Sequence, residues 1–574
     1  MNRFQSTLLL LASSAALYAG PAKRNIHTLQ QPDGTTIQAI SAGDEFAHYF
    51  IDGQGQRLQR NAAGYWTPLS AAEIERQEAK IQAKREARYA SSRRSEAQMA
   101  GDVPSKGEHH LLTLLVQFTN RKFTLGTNER YNEMLNGVDY SYQGATGSAQ
   151  RYFRDQSNEQ YTPIFDIVGP ITLDNRYQYY GGNSSSGDDL RPRQMVSEAI
   201  TKAIEGSMIS DLSKYDGDGD GYVDLVYVFY AGYSEAEDAE YNADCIWPHA
   251  WSLSSTLTFN GIKMSQYACS SELQGTPADE TVYFDGIGSC VHEFSHCLGL
   301  PDFYNTSYKQ GCYGMDAWSV MDQGCYNNHG LTPAGYTAYE RAYVGWMDLT
   351  PLPTEGQVTL YPIDTAFHAY VYHNPANKDE YFIFENHQNQ GWDTYFGYYG
   401  AAKNLHGMLI THVDYDAKAW YNNQVNATPD HQRYTVVPAD GVLIPYDQVG
   451  VTVSSNVWGN SFIRDIWPSV DNVTNFSPAT APRARFYTGD DATFDISEIT
   501  EKDGVITFNV RPYNANSICR PNVEDEVHGF VDLYDLTGKR VLSGVSMQSV
   551  HSSSLPEGVY LIKKANGETR KIVR

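Results

Sequence analysis

Two histidines four residues apart, with a glutamate directly after the first, form the group in this sequence best suited to chemistry. His292, Glu293 and His296 lie within residues 291–304, where an α-helix would place both imidazoles on one face, one turn apart. That spacing lets two ring nitrogens bind a single zinc ion at about 2.0–2.1 Å. Glu293 would lie roughly 100° around the helix, beside the metal, where it could accept a proton from a metal-bound water.

A third ligand is expected from the chain that follows this helix. Gly299 accepts the positive φ that ends helices, and Pro301 would not continue one easily. The chain can therefore turn sharply and bring Asp302 back to the metal. Glu340, within a second predicted helix over residues 332–346, is the competing third ligand, because one class of zinc protease takes a glutamate from such a helix.

The spacing His-Glu-x-x-His-x-x-Gly-x-x-Asp is similar to the zinc motif of metzincin proteases. In that group a methionine on a tight turn lies beneath the zinc. Met321, followed by Gly324, fits this role, and a gap-filling core methionine is the alternative.

A wider resemblance follows from the phrase Leu-Gly-Leu-Pro-Asp-Phe-Tyr at residues 298–304. Together with residues 332–346 and 381–386, it resembles secreted metalloproteases of the immune inhibitor A type, over about residues 111–414. One position departs from the family pattern: His387 stands where the family leads us to expect arginine.

The resemblance implies a secreted, zinc-dependent endopeptidase of α+β, metzincin-like fold that acts on proteins or peptides. His292, His296 and Asp302 would hold Zn²⁺, and Glu293 would be the general base. The alternative is a non-catalytic surface binding or adhesion protein with a structural zinc site. A structural site would have four protein ligands and no purpose for Glu293.

A second metal site, for Ca²⁺, is expected near residue 220. Carboxylates at every second position, followed by glycine for a sharp turn, can wrap oxygen ligands around calcium. An EF-hand would need an acid at the twelfth position, which is Tyr227, so the loop is only EF-like. A turn without metal is the alternative, although carboxylates so close together repel unless a cation neutralises them. The expected ligands are Asp216, Asp218, Asp220, Asp224 and the backbone carbonyl of Tyr222.

The composition fits an exported protein of several modules. A chain of 574 residues is too long for one core, so three to five modules are expected. The net charge of −25 argues against nucleic acid as a partner and suits a soluble protein that binds cations. Six of the seven cysteines lie between residues 245 and 325 and would allow up to three disulfides, whose pairing stays open.

Five segments are expected along the chain. Residues 1–19 have the basic start and short apolar run of a signal peptide, and no later apolar run is long enough to span a membrane. Residues 20–107 are expected to be a propeptide and 108–350 the catalytic domain. Residues 351–512 are expected to form a β-rich, sandwich-like domain, and 513–574 a small β-sandwich.

The propeptide assignment depends on its place between signal peptide and protease, and it makes the protein a zymogen. Ser70 and Glu73 form a capping-box pattern, and a strongly charged helix is expected from there to about residue 100. The segment has no cysteine, which excludes latency through a cysteine on the zinc; a carboxylate or histidine cap stays open. Arg93-Arg94 is a candidate processing site, or equally a polar linker.

The tail resembles the C-terminal sorting domain of the type IX secretion system. The phrases at residues 530–539 and 555–563 carry this likeness, although the usual Asn-Pro opening is replaced by Arg520-Pro521-Asn522. The resemblance implies a partner in outer-membrane secretion machinery and an extracellular or cell-surface location. An ordinary adhesive β module is the alternative.

The hydrophobic pattern indicates the elements that position the site. Residues 111–118 and 225–230 have buried-strand patterns, and apolar residues from 195 to 204 recur at helical spacing. Tyr326 could hydrogen-bond the reaction intermediate or pack in the core. A later polar cluster could line the cleft, bind a second metal or simply pack: His412, Asp414, Trp420, Asn423, Asn426 and His431.

Overall fold

The computed structural model describes most of the chain, which divides into two compact units, Met1–Tyr513 and Asn514–Arg574. Helices and strands are mixed within the first unit, so the predicted α+β class is confirmed. The proposed signal peptide, Arg93-Arg94 and Cys519 lie outside the described residues. Among the described residues, no helix has the length and apolar character needed to cross a bilayer. The described residues are 20–91, 103–184, 189–238, 240–307, 309–396, 404–445, 461–513, 531–535, 539–545, 559–564 and 569–573.

The N-terminal region folds as an antiparallel sheet followed by a long helix. Ser70 and Glu73 cap helix α1 reciprocally: the Ser70 amide donates to Glu73 Oε2 at 2.9 Å, and the Glu73 amide donates to Ser70 Oγ at 3.4 Å. Arg57, which is buried, pairs with Glu78 at 2.9 Å and ties the helix to the sheet. The strands pair in chain order, and the elements are β1 (Ile26–Gln30), β2 (Thr36–Asp44), β3 (Ala47–Asp52), β4 (Arg57–Arg60), β5 (Trp66–Pro68) and α1 (Ala71–Ser91).

A mixed sheet forms the framework of the catalytic region. Its strands follow the order β11-β10-β8-β6-β7, with β9 paired to β10. Strands β7, β6, β8 and β10 run parallel, whereas β9 and β11 are antiparallel to β10. Both buried strands that the hydrophobic runs predicted are present. The strands are β6 (Gly107–Gln117), β7 (Tyr161–Thr172), β8 (Val226–Tyr233), β9 (His249–Phe259), β10 (Ile262–Gln274) and β11 (Tyr283–Phe284).

Helices cover both faces of this sheet and create two cores. Helix α5 buries its apolar stripe, including Met195 and Ile200, against one face. Helix α6, which carries the histidines, packs through Val291 and Phe294 on the other face. The helices are α2 (Asn128–Asn136), α3 (Ala149–Gln156), α4 (Tyr177–Gly181), α5 (Pro192–Glu205), α6 (Gly288–Cys297), α7 (Ala338–Tyr343), α8 (Ile363–Ala366) and α9 (Ala417–Tyr421), with 3₁₀ turns at Tyr142–Gly144, Ser213–Tyr215, Asp316–Trp318, Gln323–Gly330 and Gly391–Tyr395.

The helix predicted over residues 332–346 is much shorter in the structure. Only α7 is helical, because Thr337 caps its first turn through the Glu340 amide. Gly345, at φ 82°, lies just beyond the other end of the helix, in a conformation that a helix cannot continue. Tyr339 and Tyr343 lie on α7, whereas Tyr336 packs in the same core from the chain that precedes the helix.

The β-rich region consists of two sheets that enclose a third core. One sheet has the order β12-β14-β15-β16-β17 and the other β13-β19-β18. The five-stranded sheet also contributes Ile383, Leu409 and Val413 to the core that contains α6, so this region and the catalytic region are packed together. The strands are β12 (Thr350–Pro351), β13 (Gly356–Leu360), β14 (Tyr370–His373), β15 (Glu380–His387), β16 (Gly407–Asp414), β17 (Tyr434–Val436), β18 (Phe494–Lys502) and β19 (Val505–Pro512).

The second unit contains a four-stranded antiparallel sheet in the order β21-β20-β22-β23. Its strands are β20 (Val531–Asp535), β21 (Arg540–Val545), β22 (Val559–Lys564) and β23 (Thr569–Val573).

The six cysteines that the structure describes are all free thiols, so the possible disulfides among them are not formed. Cys290 and Cys297 lie on α6, and all six side chains are buried. Buried cysteines outside disulfides pack much as small apolar residues do.

Candidate metal centre

Helix α6 places the first three functional side chains in a fully buried position. His292 and Glu293 have no solvent exposure, and His296 has 1%. The helix lies directly against the turn that contains Cys325: a Cβ at Gly288 would meet the Cys325 carbonyl at 1.9 Å, so only glycine allows this approach. The close packing fixes the helix, and with it the direction of both imidazoles.

Asp302 returns to the two histidines through the turn at Gly299, which has φ 104°. Its Oδ1 atom lies 3.3 Å from Nε2 of His292 and 3.3 Å from Nε2 of His296. The two Nε2 atoms are 3.1 Å apart. The structure therefore brings together all three predicted zinc ligands.

This triangle of donor atoms has the dimensions of a zinc site. Ligands at about 2.0–2.1 Å from a tetrahedral zinc ion are separated by roughly 3.3–3.4 Å. The buried Asp302 Oδ1 atom has no hydrogen-bond partner, as expected of an atom that faces a cation. Although burial opposes it, the two imidazoles beside the carboxylate, His296 above all, hold the pKa of Asp302 below its usual range. The residues fit a zinc ion.

Outer hydrogen bonds orient each ligand. Nδ1 of His292 lies 2.7 Å from the Val320 carbonyl, and Nδ1 of His296 lies 2.8 Å from the Leu300 carbonyl, so Nε2 of each ring is left for the metal. The Asn423 side chain donates to Asp302 Oδ2 and accepts from the Asp302 amide at 2.7 Å.

The predicted methionine turn lies in the same core. Met321 is buried, and its carbonyl accepts from the Phe303 amide at 2.9 Å. The residue before it, Val320, is the partner of His292. The turn therefore holds His292 through the Val320 carbonyl, and it holds Phe303, the residue after Asp302, through the Met321 carbonyl.

Glu340, the competing ligand, lies in another environment. Its Oε2 accepts from the Thr337 amide at 2.7 Å, and its Oε1 accepts from the Ser319 hydroxyl. Glu340 thus serves the capping box of α7 through Oε2 and binds the Ser319 hydroxyl through Oε1, and Asp302 is the carboxylate that lies beside the histidines.

Glu293 faces the open side of the candidate metal site. Its Oε2 atom is buried without a hydrogen-bond partner, and its Oε1 accepts from the Gly20 amide at 2.8 Å. Burial raises the pKa of Glu293 to about 8, and the charge on His292 opposes the rise. A carboxylate with one free oxygen in this position can accept a proton.

Residues 20–22 fill the space in front of Glu293. A Cβ at Gly20 would lie 3.6 Å from Glu293 Oε1 and 3.7 Å from His292 Nε2. Trp247 Nε1 donates to the Gly20 carbonyl at 3.0 Å, and the Tyr326 hydroxyl donates to the Pro21 carbonyl at 2.8 Å. The group next to the Glu293 carboxylate is therefore a main-chain amide, and Tyr326 is engaged with this segment.

The predicted calcium loop brings three of its four aspartates together. Ligand oxygens of Asp216, Asp218 and Asp224 lie within 4.8 Å of one another. Burial, with repulsion from the neighbouring aspartates, raises the pKa of Asp224 to about 7. Asp220 instead accepts from the Tyr222 amide at 2.8 Å, which shapes the turn.

The later polar cluster divides between structural pairs and one contact with the site. His412 lies 3.1 Å from Glu380, and His431 lies 2.6 Å from Asp414. Asn423 alone reaches a candidate ligand, as described for Asp302.

His387, where arginine was expected, is a buried cation. Asp393 and Glu385 lie 2.6 and 3.2 Å from its ring nitrogens. Burial lowers its pKa, but these two carboxylates outweigh that effect and raise the pKa of His387 to about 10. The position keeps the positive charge that arginine would supply.

The comparisons with known proteins agree with this geometry. Residues 108–347 match the family model for the catalytic domain of immune inhibitor A peptidase M6. Pre-pro-metalloprotease PrtV of Vibrio cholerae serotype O1 is 26% identical over 284 residues, covering 42% of this chain and 30% of the relative. Immune inhibitor A of Bacillus thuringiensis subsp. alesti is 28% identical over 249 residues, covering 38% of this chain and 34% of the relative.

The fold, the site and these similarities together support a metalloprotease. The matched segment contains α6 and all three converging residues, so this part of the chain is similar to the catalytic domain of immune inhibitor A peptidases. The chain spans about a third of the length of the two relatives that it matches.

Proposed function

We propose that the protein is a secreted, zinc-dependent endopeptidase made as a latent precursor. The observation that carries this proposal is the convergence of His292, His296 and Asp302 beside a buried glutamate with a free oxygen. This group lies within the segment that matches a peptidase family.

His292, His296 and Asp302 would hold the zinc ion, and Glu293 would move the proton. Zinc supplies Lewis-acid chemistry, lowering the pKa of water and polarising a carbonyl oxygen. Glu293 takes a proton from the attacking water at its free Oε2 and then gives it to the leaving amine. Asn423 holds Asp302 in position while the charge at the site changes.

The contacts of residues 20–24 support a propeptide that blocks the cleft. Gly20 hydrogen-bonds Glu293 directly, so a substrate could not reach this carboxylate while the segment is in place. Lys23 and Arg24 anchor it through ion pairs with Glu237 at 2.9 Å and Asp316 at 2.6 Å. Release of residues 20–107 would open the site, and the name "pre-pro-metalloprotease" of one relative describes such a precursor.

Export is proposed from the signal-peptide pattern of residues 1–19 and the net charge of −25. The tail would present its sheet to outer-membrane secretion machinery. Activity of the exported, mature protein would then be extracellular or at the cell surface.

The rival proposal, a binding protein with a structural zinc site, explains less of the geometry. A closed site needs a fourth protein ligand, whereas in the described part of the chain the donor atoms that converge here come from three residues. The Cys325 thiol hydrogen-bonds His292 but is not in this group, and Glu293 accepts a main-chain hydrogen bond instead. Incubation of a denatured protein with the propeptide-released enzyme decides between the two. New amino termini, detected by mass spectrometry, are expected; retention of the denatured protein without any cleavage favours the binding protein.

We also propose that the loop 216–224 binds a structural calcium ion. The charge repulsion among Asp216, Asp218 and Asp224 supports it, since a divalent cation would remove this repulsion and draw the buried Asp224 carboxylate into its ionised form. The loop connects a 3₁₀ turn to β8, so binding would stabilise the sheet that underlies the site.

Calcium is therefore expected to raise the melting temperature of the protein, and the substitution Asp218→Asn should weaken this effect. At a calcium concentration 100 times the Kd, binding stabilises by about 2.7 kcal/mol. Calorimetry with and without calcium measures the shift, and Asp211→Asn, an exposed acid outside the loop, is the matched control. An equal melting temperature in both conditions would exclude the site.

A further inference from the structure

The segment that fills the cleft is bound through groups that every peptide possesses. Gln323 Nε2 donates to the Ala22 carbonyl at 3.0 Å, and the Lys23 amide donates to the Ala236 carbonyl at 2.9 Å. With the contacts of Gly20 and Pro21, these bonds hold the main chain of residues 20–23. Selectivity for particular side chains must therefore come from elsewhere, and the next two side chains are both basic.

Lys23 enters a pocket formed by Glu237, Asp285 and Tyr326. Its Nζ atom lies 2.9 Å from both Glu237 oxygens and 5.7 Å from the centre of the Tyr326 ring. The side chains of Lys23 and Glu237 are 13% and 6% exposed, so the pair is almost fully shielded from water. Glu237 is also fixed by the Gly275 amide, which donates to its Oε2 at 3.1 Å.

Arg24 enters a second pocket formed by Asp316 and Asp322. The guanidinium lies 2.6 Å from Asp316 Oδ2, and the two side chains are 10% and 2% exposed. Asp322 is fully buried, and its Oδ2 accepts from the Met315 amide at 3.0 Å and the Asp316 amide at 2.8 Å. Both pockets are thus built from carboxylates fixed by the backbone of the catalytic region.

The positive side chains of Lys23 and Arg24 favour the ionised form of these carboxylates, which burial opposes. Burial and repulsion from Glu237 raise the pKa of Asp285 to about 7, and Lys23 opposes the rise. Burial also raises the pKa of Asp322 to about 7, with Arg24 opposing and Asp316 adding to the rise. Once the propeptide leaves, both pockets lose their cation but keep their carboxylates.

We propose that the Lys23 pocket and the Arg24 pocket are substrate subsites that bind lysine or arginine side chains near the scissile bond. The propeptide then occupies the cleft by presenting the side chains that the enzyme selects. Counted from Gly20, which faces Glu293, the basic residues are the fourth and fifth of the segment. A substrate is expected to carry its basic residues three to five positions from the cut, on one side. This inference rests on the proposed endopeptidase function.

The test maps cut sites in a mixture of peptides. Denatured protein is digested with chymotrypsin, which leaves lysine and arginine inside the peptides, and the mixture is then treated with the propeptide-released enzyme. We expect lysine and arginine to be enriched about tenfold or more at those positions, as the loss of a shielded charge pair implies. Acetylation of the peptide lysines should remove the lysine enrichment and leave the arginine enrichment. This control changes only the substrate and leaves the enzyme unaltered.

Variants assign each subsite. Glu237→Gln should reduce enrichment at one of the two adjacent positions and Asp316→Asn at the other. Glu205→Gln, at the exposed end of α5, is the matched control and should leave the profile unchanged. Cleavage by wild type with no basic preference would overturn the subsites, since the pockets would then serve only the propeptide. Absence of any cleavage would instead count against the endopeptidase itself.

Discussion

The substitution Glu293→Gln is expected to lower kcat on a denatured protein by about 10²–10⁴-fold, the usual contribution of a positioned general base. Glutamine has nearly the same size but cannot accept the proton from water. The zinc content should stay at the wild-type level, because the atoms that converge come from His292, His296 and Asp302. Steady-state kinetics, with metal analysis of the same preparation, measure both quantities.

Glu340→Gln is the matched control for this substitution. Glu340 is also a fully buried glutamate, but its Oε2 caps α7 and its Oε1 accepts from Ser319. Its loss should cost about 0.5–2 kcal/mol of stability, as for other helix caps, and leave kcat within a few-fold of wild type. If Glu293→Gln turned over substrate as fast as Glu340→Gln, another group would have to be the base.

Charge reversal of the two basic anchors, Lys23→Glu with Arg24→Glu, should make the unprocessed full chain active. Each anchor occupies a shielded acidic pocket, and breaking a buried ion pair costs about 3–5 kcal/mol. Placing like charges together should therefore displace the segment from Glu293 in most molecules. The initial rate of peptide hydrolysis by the intact chain, with intactness checked by mass spectrometry, gives the result.

The charge-conserving pair Lys23→Arg with Arg24→Lys serves as the control and should stay latent. One outcome would refute the proposal that this anchored segment causes latency. In it the charge-reversed chain stays folded and inactive, but gains activity when proteolysis removes residues 20–107. A wild-type full chain as active as the processed enzyme would refute latency altogether.

The parts of the site that the sequence predicts are those whose geometry is local. His292, Glu293 and His296 share one helix, so their spacing alone determines their relative placement. Asp302 lies six residues after His296, beyond the turn at Gly299. The positive φ of Gly299 is the conformation that a glycine at this point predicts. Sequence spacing alone could not exclude Glu340 as the third metal ligand. The structure shows that Glu340 forms a capping box with Thr337.

The contacts that complete the site join residues far apart in the chain. Asn423 reaches Asp302 across 121 positions, and Gly20 reaches Glu293 across 273. In the sequence, Asn423 was one member of a polar cluster and had no feature that distinguished it from the others. Only the packing of the β-rich region against the catalytic core brings this amide to the metal ligand.

Two further expectations depended on the spacing or clustering of one residue type. The spacing of Tyr336, Tyr339 and Tyr343 predicted a helix over residues 332–346, but only the last two lie on α7, and Tyr336 packs in the same core from the chain before the helix. Six clustered cysteines suggested disulfides, whereas each of the six is a buried thiol. In both cases the residue types report burial, and burial is compatible with more than one local structure.

The central claim, a zinc-dependent endopeptidase, is tested most directly by zinc titration of the metal-free, propeptide-released enzyme with cleavage of a denatured protein as the readout. The proposal predicts that activity rises in proportion to zinc and reaches a plateau at one ion per chain. Cleavage that is already complete without metal, or zinc that binds fully without producing cleavage, would contradict it.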